Sequence, residues 1–346
     1  MQHVKLHTME TITYTNPVWD GYFADPFVLK HKGEYWAYGT SPNAPDSKRF
    51  QVLHSKNLIN WQYVGGALEP LEGDFHYYWA PEVAYRNGTF WMYYSASDWE
   101  VPNHRLRLAT SRNPQGPFRD SGEILLPQED FTIDAHPFRD PRDGKWYLFF
   151  AKNYFEGRVG TGLAVVELGD DMKPCGEVRA CLRASADWKI FGRDLTVYGQ
   201  TWDAWHTVEG PSVIFHEGLY YCLYSGGNWE GEGYGVGFGV AEHPLGPWRD
   251  DWNFEGAVVL RGVPGQVLGP GHNSVVIGPD NKTPYIVYHA WDAAHTARRM
   301  CIDPLIWTAE GPRCQGPTWT PQTLTQVKAK TLNLRKNKRL PAHQSA

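Results

Sequence analysis

The sequence predicts an all-β fold, a five-bladed β-propeller, on three observations. A phrase made of a polar lead residue, a short apolar strand, a tight turn and an aromatic-rich strand recurs five times along 346 residues. Helical periodicity is nearly absent, and no strand–helix alternation is present that would build a parallel sheet. Aromatic residues are abundant, with 16 Trp, 19 Tyr and 15 Phe, and such side chains pack well on pleated surfaces.

The repeats follow one another in order. Ala24-Asp25-Pro26 leads through a Lys32-Gly33 turn to the aromatic run Tyr35, Trp36, Tyr38. Ala80-Pro81-Glu82 leads through Asn87-Gly88 to Phe90, Trp91, Tyr93 and Tyr94. Ile133-Asp134-Ala135-His136-Pro137 leads through Asp143-Gly144 to Trp146, Tyr147, Phe149 and Phe150. Glu209-Gly210-Pro211 leads through Glu217-Gly218 to Tyr220, Tyr221 and Tyr224. Gly271-His272-Asn273-Ser274 leads through a turn rich in Gly, Pro, Asp and Asn to Tyr285, Tyr288 and Trp291. These turns supply residues tolerant of positive φ, which marks hairpins. The lead residues fall at 25, 82, 134, 209 and 272, so the repeat is about 50 to 75 residues, the length of a four-stranded blade. The outer parts echo too: 108–120 and 240–250 both end on Gly-Pro, an aromatic residue, Arg and Asp.

In a propeller the innermost strand of each blade runs along the central channel. The five lead residues are therefore expected at one mouth of that channel, which places the active site there. Residues 1–322 form the expected propeller domain, with the first fifteen or so supplying a strand that closes the ring against the last blade. Residues 323–346 are read as a polar, basic C-terminal tail containing Lys328, Lys330, Arg335, Lys336, Lys338 and Arg339.

Composition narrows the function. A net charge of −5 without an early basic patch argues against nucleic acid. No apolar run approaches the length of a membrane span. The start of the chain has no apolar core of a signal peptide, so a cytoplasmic location is expected, or secretion if a leader has been removed. The five cysteines form no CxxC pair, which implies neither a zinc site nor a disulfide framework.

Three of the five lead residues are the acids Asp25, Asp134 and Glu209, brought together by topology from distant parts of the chain. Singly each has an ordinary reading, since an Asp before Pro commonly starts a turn. In one register of successive repeats they form a set. Glycoside hydrolysis needs two carboxyl groups, one protonated toward the leaving oxygen and one activating water or attacking directly. A third carboxylate nearby raises the acid's pKa and keeps its proton on near neutral pH.

The same motifs carry a family resemblance. Asn16-Pro17-Val18 with Ala24-Asp25-Pro26, Trp79-Ala80-Pro81-Glu82, Ile133 to Pro137, Glu209-Gly210-Pro211 and Gly271 to Ser274 span nearly the whole chain. In that order the chain resembles glycoside hydrolase family 43, propeller enzymes acting on arabinose- and xylose-containing polysaccharides. The resemblance implies Asp25 as general base, Asp134 as the residue that tunes pKa and orients substrate, and Glu209 as general acid. It implies inversion, with acid and base carboxyls about 6.5–9.5 Å apart. It also implies sugar contacts for Trp79, Phe23 and one arginine of the Arg298-Arg299 doublet, with Arg298 favoured by its distance from Pro304. His272 matches a histidine that some members link through water to a calcium ion in the channel. No cofactor is required, and the one ion the resemblance brings into view is a structural calcium in the central channel of some members.

The expected activity is that of an inverting, exo-acting α-L-arabinofuranosidase on plant cell-wall polysaccharide or derived oligosaccharides. Loops 98–105 and 226–233, rich in Trp and Asp or Glu, are expected to wall the pocket. β-D-Xylosidase, endo-1,5-α-L-arabinanase and a non-catalytic carbohydrate-binding propeller stand as alternatives. Arg139-Asp140-Pro141 mimics a motif of fructan-cleaving propellers, but it falls in a hairpin turn beyond the strand that Asp134 begins.

Overall fold

The computed structural model describes residues 2–98, 103–250 and 255–334. Residues 99–102 of loop 98–105 and residues 335–346 of the tail lie outside the described residues. The fold is a five-bladed propeller. The innermost strands are Ala24–His31, Tyr77–Arg86, Thr132–Arg139, Val208–His216 and Leu268–Ile277. Each pairs antiparallel with the aromatic-rich strand that follows it. Three of the connecting hairpins turn on consecutive left-handed residues, Lys32-Gly33, Asn87-Gly88 and Glu217-Gly218. That backbone matches the right-handed twist of the strands it joins.

The hydrophobic core is divided into five clusters, each filling the gap between neighbouring blades. Tyr38 and Val52 of blade 1 pack on Val83 and Phe90 of blade 2. Tyr93 and Leu106 of blade 2 meet Leu148 and Phe150 of blade 3. Phe149 of blade 3 meets Val213 and Tyr220 of blade 4, and Leu223 of blade 4 meets Ile286 of blade 5. The fifth cluster joins Val276 and Val287 of blade 5 to Val28 and Tyr35 of blade 1. Alternation of side chains across each strand supplies two buried faces per blade, so the ring closes only when all five interfaces form. The echo between 108–120 and 240–250 has a structural reason. Its terminal Asp120 and Asp250 accept hydrogen bonds from Tyr94 and Tyr224 at 2.5 and 2.7 Å, fastening the outer edge of a blade to its second strand.

The terminal segments depart from the expectation. Gln2–Tyr14 does not join the last blade; it pairs with Gln322–Leu334 as a separate two-stranded ribbon. The stretch from 322 thus begins as a strand. Ring closure falls to residues 16–23. The Asn16 side chain donates to Ile302 O at 2.8 Å and accepts from Ile302 N at 2.9 Å. Val18 N and Phe23 N donate to Met300 O and Arg298 O.

Blade 3 carries an extra hairpin, Ile190–Val197 with Gln200–His206, entered through a short 3-10 turn at Asp187–Lys189. Its base is fixed by Lys189, whose ammonium lies fully buried 2.5 Å from Asp250. No helix among the described residues is long and apolar enough to cross a membrane.

Candidate active site

Every innermost strand is interrupted by a bulge, and one residue there takes a left-handed backbone: Asp25 (φ 50°), Ala80 (45°), Asp134 (56°), Gly210 (56°) and His272 (46°). The pairing register shifts across each of them. A bulge re-aims the side chain it carries, and here it does so five times around one channel mouth. This register corrects the sequence alignment at two blades. In blade 2 the position belongs to Ala80, two residues before Glu82. In blade 4 it belongs to Gly210, so Glu209 reaches the channel from one residue earlier.

The bulges open onto a cavity of about 430 Å³. Asp25, Asp134, Glu209 and His272 line its floor, while Tyr77, Trp79, Phe191, Trp229 and Glu230 form walls. Phe191 comes from the extra hairpin, and Trp229 and Glu230 from the loop 226–233, as that loop was expected to do.

Asp25 is buried. Burial alone would raise its pKa, but His272, Arg298 and His289 outweigh it and hold the carboxyl far below the usual range. Its Oδ1 lies 3.3 Å from Nδ1 of His272, from Nη1 of Arg298 and from Nδ1 of His289. The Asp25 amide donates to His289 Nδ1 at 3.1 Å, and burial depresses the pKa of that ring to about 4. His272 is pushed the other way: burial opposes its charge, yet Asp25, Asp134 and Glu209 raise its pKa.

Glu209 has the opposite electrostatics to Asp25. Burial and then Asp134 raise its pKa to about 7. Tyr234 donates to its Oε1 at 2.6 Å, which leaves Oε2 as the oxygen to carry the proton. The Tyr234 ring stacks on His289 with centroids 5.9 Å apart. Any Cβ at Gly271 would collide with that ring, so the glycine that opens the last repeat makes room for the tyrosine. Asp134 is pushed up to about 6 by burial and Asp25, against the pull of His272 and of the Gly210 N–H. That N–H donates to Asp134 Oδ2 at 3.1 Å. The contact ties Asp134 to the backbone immediately after Glu209. A carboxyl pushed up to about 7, with Asp134 at about 6 beside it, thus shares a pocket with one held far below the usual range, an arrangement suited to paired acid and base work.

The remaining residues singled out from the sequence separate clearly. Trp79 lines the pocket and stacks on buried His104 at 3.5 Å. Arg298 reaches Asp25, and its Nη2 donates to Tyr22 OH at 2.7 Å. Arg299 does not enter this pocket: it points to the other face of the strand and pairs with Asp292 at 3.1 Å. Phe23 is fully buried in the cluster between blades 5 and 1 and offers no surface to a sugar; its neighbour Tyr22 lines the pocket instead. Glu82 lies below the floor, accepting from His136 Nδ1 at 2.7 Å, while His136 Nε2 accepts the Val213 N–H at 3.1 Å. Tyr22, Phe191, Tyr234 and His289 were not found from the sequence. Tyr234 and His289 lie outside the lead register, and the extra hairpin has no counterpart in the other repeats.

Among the described residues no group of three or more His, Cys, Asp or Glu is arranged to hold a metal ion. Calcium takes six to eight oxygen ligands, whereas His272 supplies nitrogen and its Nδ1 is engaged by Asp25. The residues present do not fit direct coordination of calcium.

Comparison with known proteins agrees with this architecture. The model of the family described as "Glycosyl hydrolases family 43" matches residues 14–312. A β-D-galactofuranosidase of Aspergillus niger is 28% identical over 90% of this chain and 88% of its own length. An extracellular exo-α-(1→5)-L-arabinofuranosidase of Streptomyces avermitilis is 23% identical over 89% of this chain and 64% of its own length. The crystal structure of a thermostable family-43 glycoside hydrolase superposes with a TM-score of 0.76 at 34% identity, covering 89% of this chain and 98% of that one. Further relatives are described as arabinanases and a xylosidase. The cytoplasmic location expected from the start of the sequence finds no support here, since the Streptomyces relative is described as extracellular; secretion is compatible with it.

Proposed function

The chain belongs to glycosyl hydrolase family 43, and on that premise we propose that it is an inverting, exo-acting α-L-arabinofuranosidase. It is a glycoside hydrolase; the sugar, the mode of attack and the roles of individual residues are the proposal. The observation that carries it is the placing of two carboxyls in opposite surroundings of one pocket: Asp25 Oδ1 lies 3.3 Å from His272, His289 and Arg298, while burial and Asp134 push Glu209 up to about 7.

In this reading Glu209 donates from Oε2 to the departing glycosidic oxygen, while the Tyr234 hydroxyl steadies the negative charge that develops on Oε1. Asp25 accepts a proton from water as that water attacks the anomeric carbon from the opposite face. Arg298 and His272 both engage Asp25 Oδ1, which suits a base better than an attacking nucleophile. Asp134 keeps the proton on Glu209 and orients substrate. The walls supplied by Phe191, Trp79 and Trp229 favour a site that admits one terminal residue. The catalytic unit is taken as residues 1–322.

A second reading, β-D-galactofuranosidase, is favoured by the Aspergillus relative. α-L-Arabinofuranosides and β-D-galactofuranosides share ring configuration and differ in the exocyclic chain, so a panel of nitrophenyl furanosides and xylosides distinguishes them. The first-formed anomer, followed by NMR, should have the configuration opposite to the substrate; retention removes Asp25 from the role of base. Glu209→Gln should lower kcat on natural linkages by roughly 10²–10⁴-fold and lose far less on leaving groups that need no protonation. Sugar binding without turnover by the wild type would instead indicate a carbohydrate-binding propeller.

A further inference from the structure

Arg299 leads to a second cavity that the hydrolysis above does not use. It measures about 290 Å³ and lies on the outer side of blade 5, bounded by strands Pro284–Trp291 and Arg298–Thr308 and by the segments at 16–20 and 318–319. Consecutive residues of a strand point to opposite faces. Arg298 therefore lines the catalytic pocket and Arg299 the second cavity.

The partition between the two cavities is aromatic. Trp291 lines the second cavity and stacks on Trp229 of the catalytic pocket, with centroids 5.9 Å apart and planes at 16°. Trp291 Nε1 donates to Trp229 O at 2.8 Å, and His295 stacks on Trp291 at 4.3 Å. These contacts make the partition rigid. Trp319 also lines the cavity; it is 42% exposed, and among the described residues no ring stacks on it. The side chains of Asp20 and Gln266 are exposed in the same lining. Arg299 is fixed by Asp292, which is held in turn by Thr296 at 2.6 Å. An open indole beside a carboxylate and an amide matches the chemistry of a sugar: its ring carbons cover an aromatic face while neighbouring hydroxyls donate to the carboxylate.

We propose that this cavity is a second saccharide site, holding a neutral unit of the same glycan whose terminal residue occupies the catalytic pocket. The proposal rests on the reading of the substrate as a glycan. Binding at both places makes the second contact intramolecular, so polymer affinity rises without any change at the reacting carbon.

Trp319→Ala and Asp20→Ala test it, since neither residue lines the catalytic pocket and both are exposed enough to replace without unfolding the chain. On a nitrophenyl α-L-arabinofuranoside both variants should match the wild type. On arabinan or arabinoxylan, kcat/KM should fall about five- to tenfold, through KM and with kcat kept. Retardation of the protein in native gels containing those polysaccharides should weaken in parallel. Equal polymer kinetics and equal retardation in both variants overturn the second site. Retardation lost in Trp319→Ala supports the site even where the nitrophenyl arabinoside is not cleaved, so failure of the site is distinguishable from failure of the arabinofuranosidase reading.

Discussion

Among single residues, Tyr234 and Glu209 make the sharpest claims. The Tyr234 hydroxyl favours the ionised form of Glu209, so its removal in Tyr234→Phe should shift the alkaline limb of the kcat/KM profile to higher pH. The same change should lower kcat roughly tenfold, the worth of a hydrogen bond to a developing charge; an unmoved limb would leave Tyr234 a packing role alone. Glu209 also links stability to pH. Its folded pKa of about 7 lies above the ordinary carboxylate value, so its contribution to stability is complete below that ordinary value and is lost as pH rises through about 7. Glu209→Gln cannot ionise, and its Tm should match the wild type near pH 5 and exceed it at pH 8. Asp25 runs in the opposite sense: its stabilising contribution persists through neutral pH and is lost only in strong acid.

At the scale of the element, the bulge and the extra hairpin decide the site. Gly210 has φ +56°, and a Cβ there would lie 3.1 Å from the His272 ring. Gly210→Ala should therefore cost about 1–2 kcal/mol in chemical denaturation and lower kcat by displacing both Glu209 and the N–H that serves Asp134. The hairpin Ile190–His206 contributes Phe191 to the pocket wall. Phe191→Ala should raise KM roughly tenfold on small furanosides with kcat nearly kept; an unchanged KM would exclude the hairpin from substrate binding. The five hairpins were legible because turn residues and alternating aromatic strands are local signals. The bulge register was not: taking the polar residue of each phrase as its lead selected Glu82, whereas the backbone places Ala80 at the mouth and commits Glu82 to His136. A side chain's aim at a bulge depends on pairing with the next strand, and no composition of the phrase itself encodes it.

For the molecule as a whole, closure of the ring is the controlling event. Asn16 makes paired hydrogen bonds with Ile302 while residues 18–23 run against the same strand. Asn16→Ala removes both and leaves buried backbone groups unpaired, so stability should fall by roughly 2–4 kcal/mol. Because residues 16–23 continue into Asp25, activity should fall at temperatures well below global unfolding. A variant whose activity and fold are lost together would show closure and site to be one cooperative unit. The two arginines of the doublet also belong to this scale: strand alternation sends Arg298 to the catalytic pocket and Arg299 to the outer cavity, a choice that adjacent identical residues do not display in sequence.

The sequence by itself determined the number of blades and the turns between their strands, and it offered the three acids as candidates, because repeats, turn chemistry and carboxylates are properties of short segments. Only the tertiary structure decided that the Asp25 carboxyl is held far below the usual range while that of Glu209 is pushed up to about 7. That difference arises from His272, Arg298 and His289 converging on one carboxyl and from burial and Asp134 acting on the other against the Tyr234 hydroxyl. These partners are brought from distant positions by closing the ring, and a pKa responds to neighbours in space.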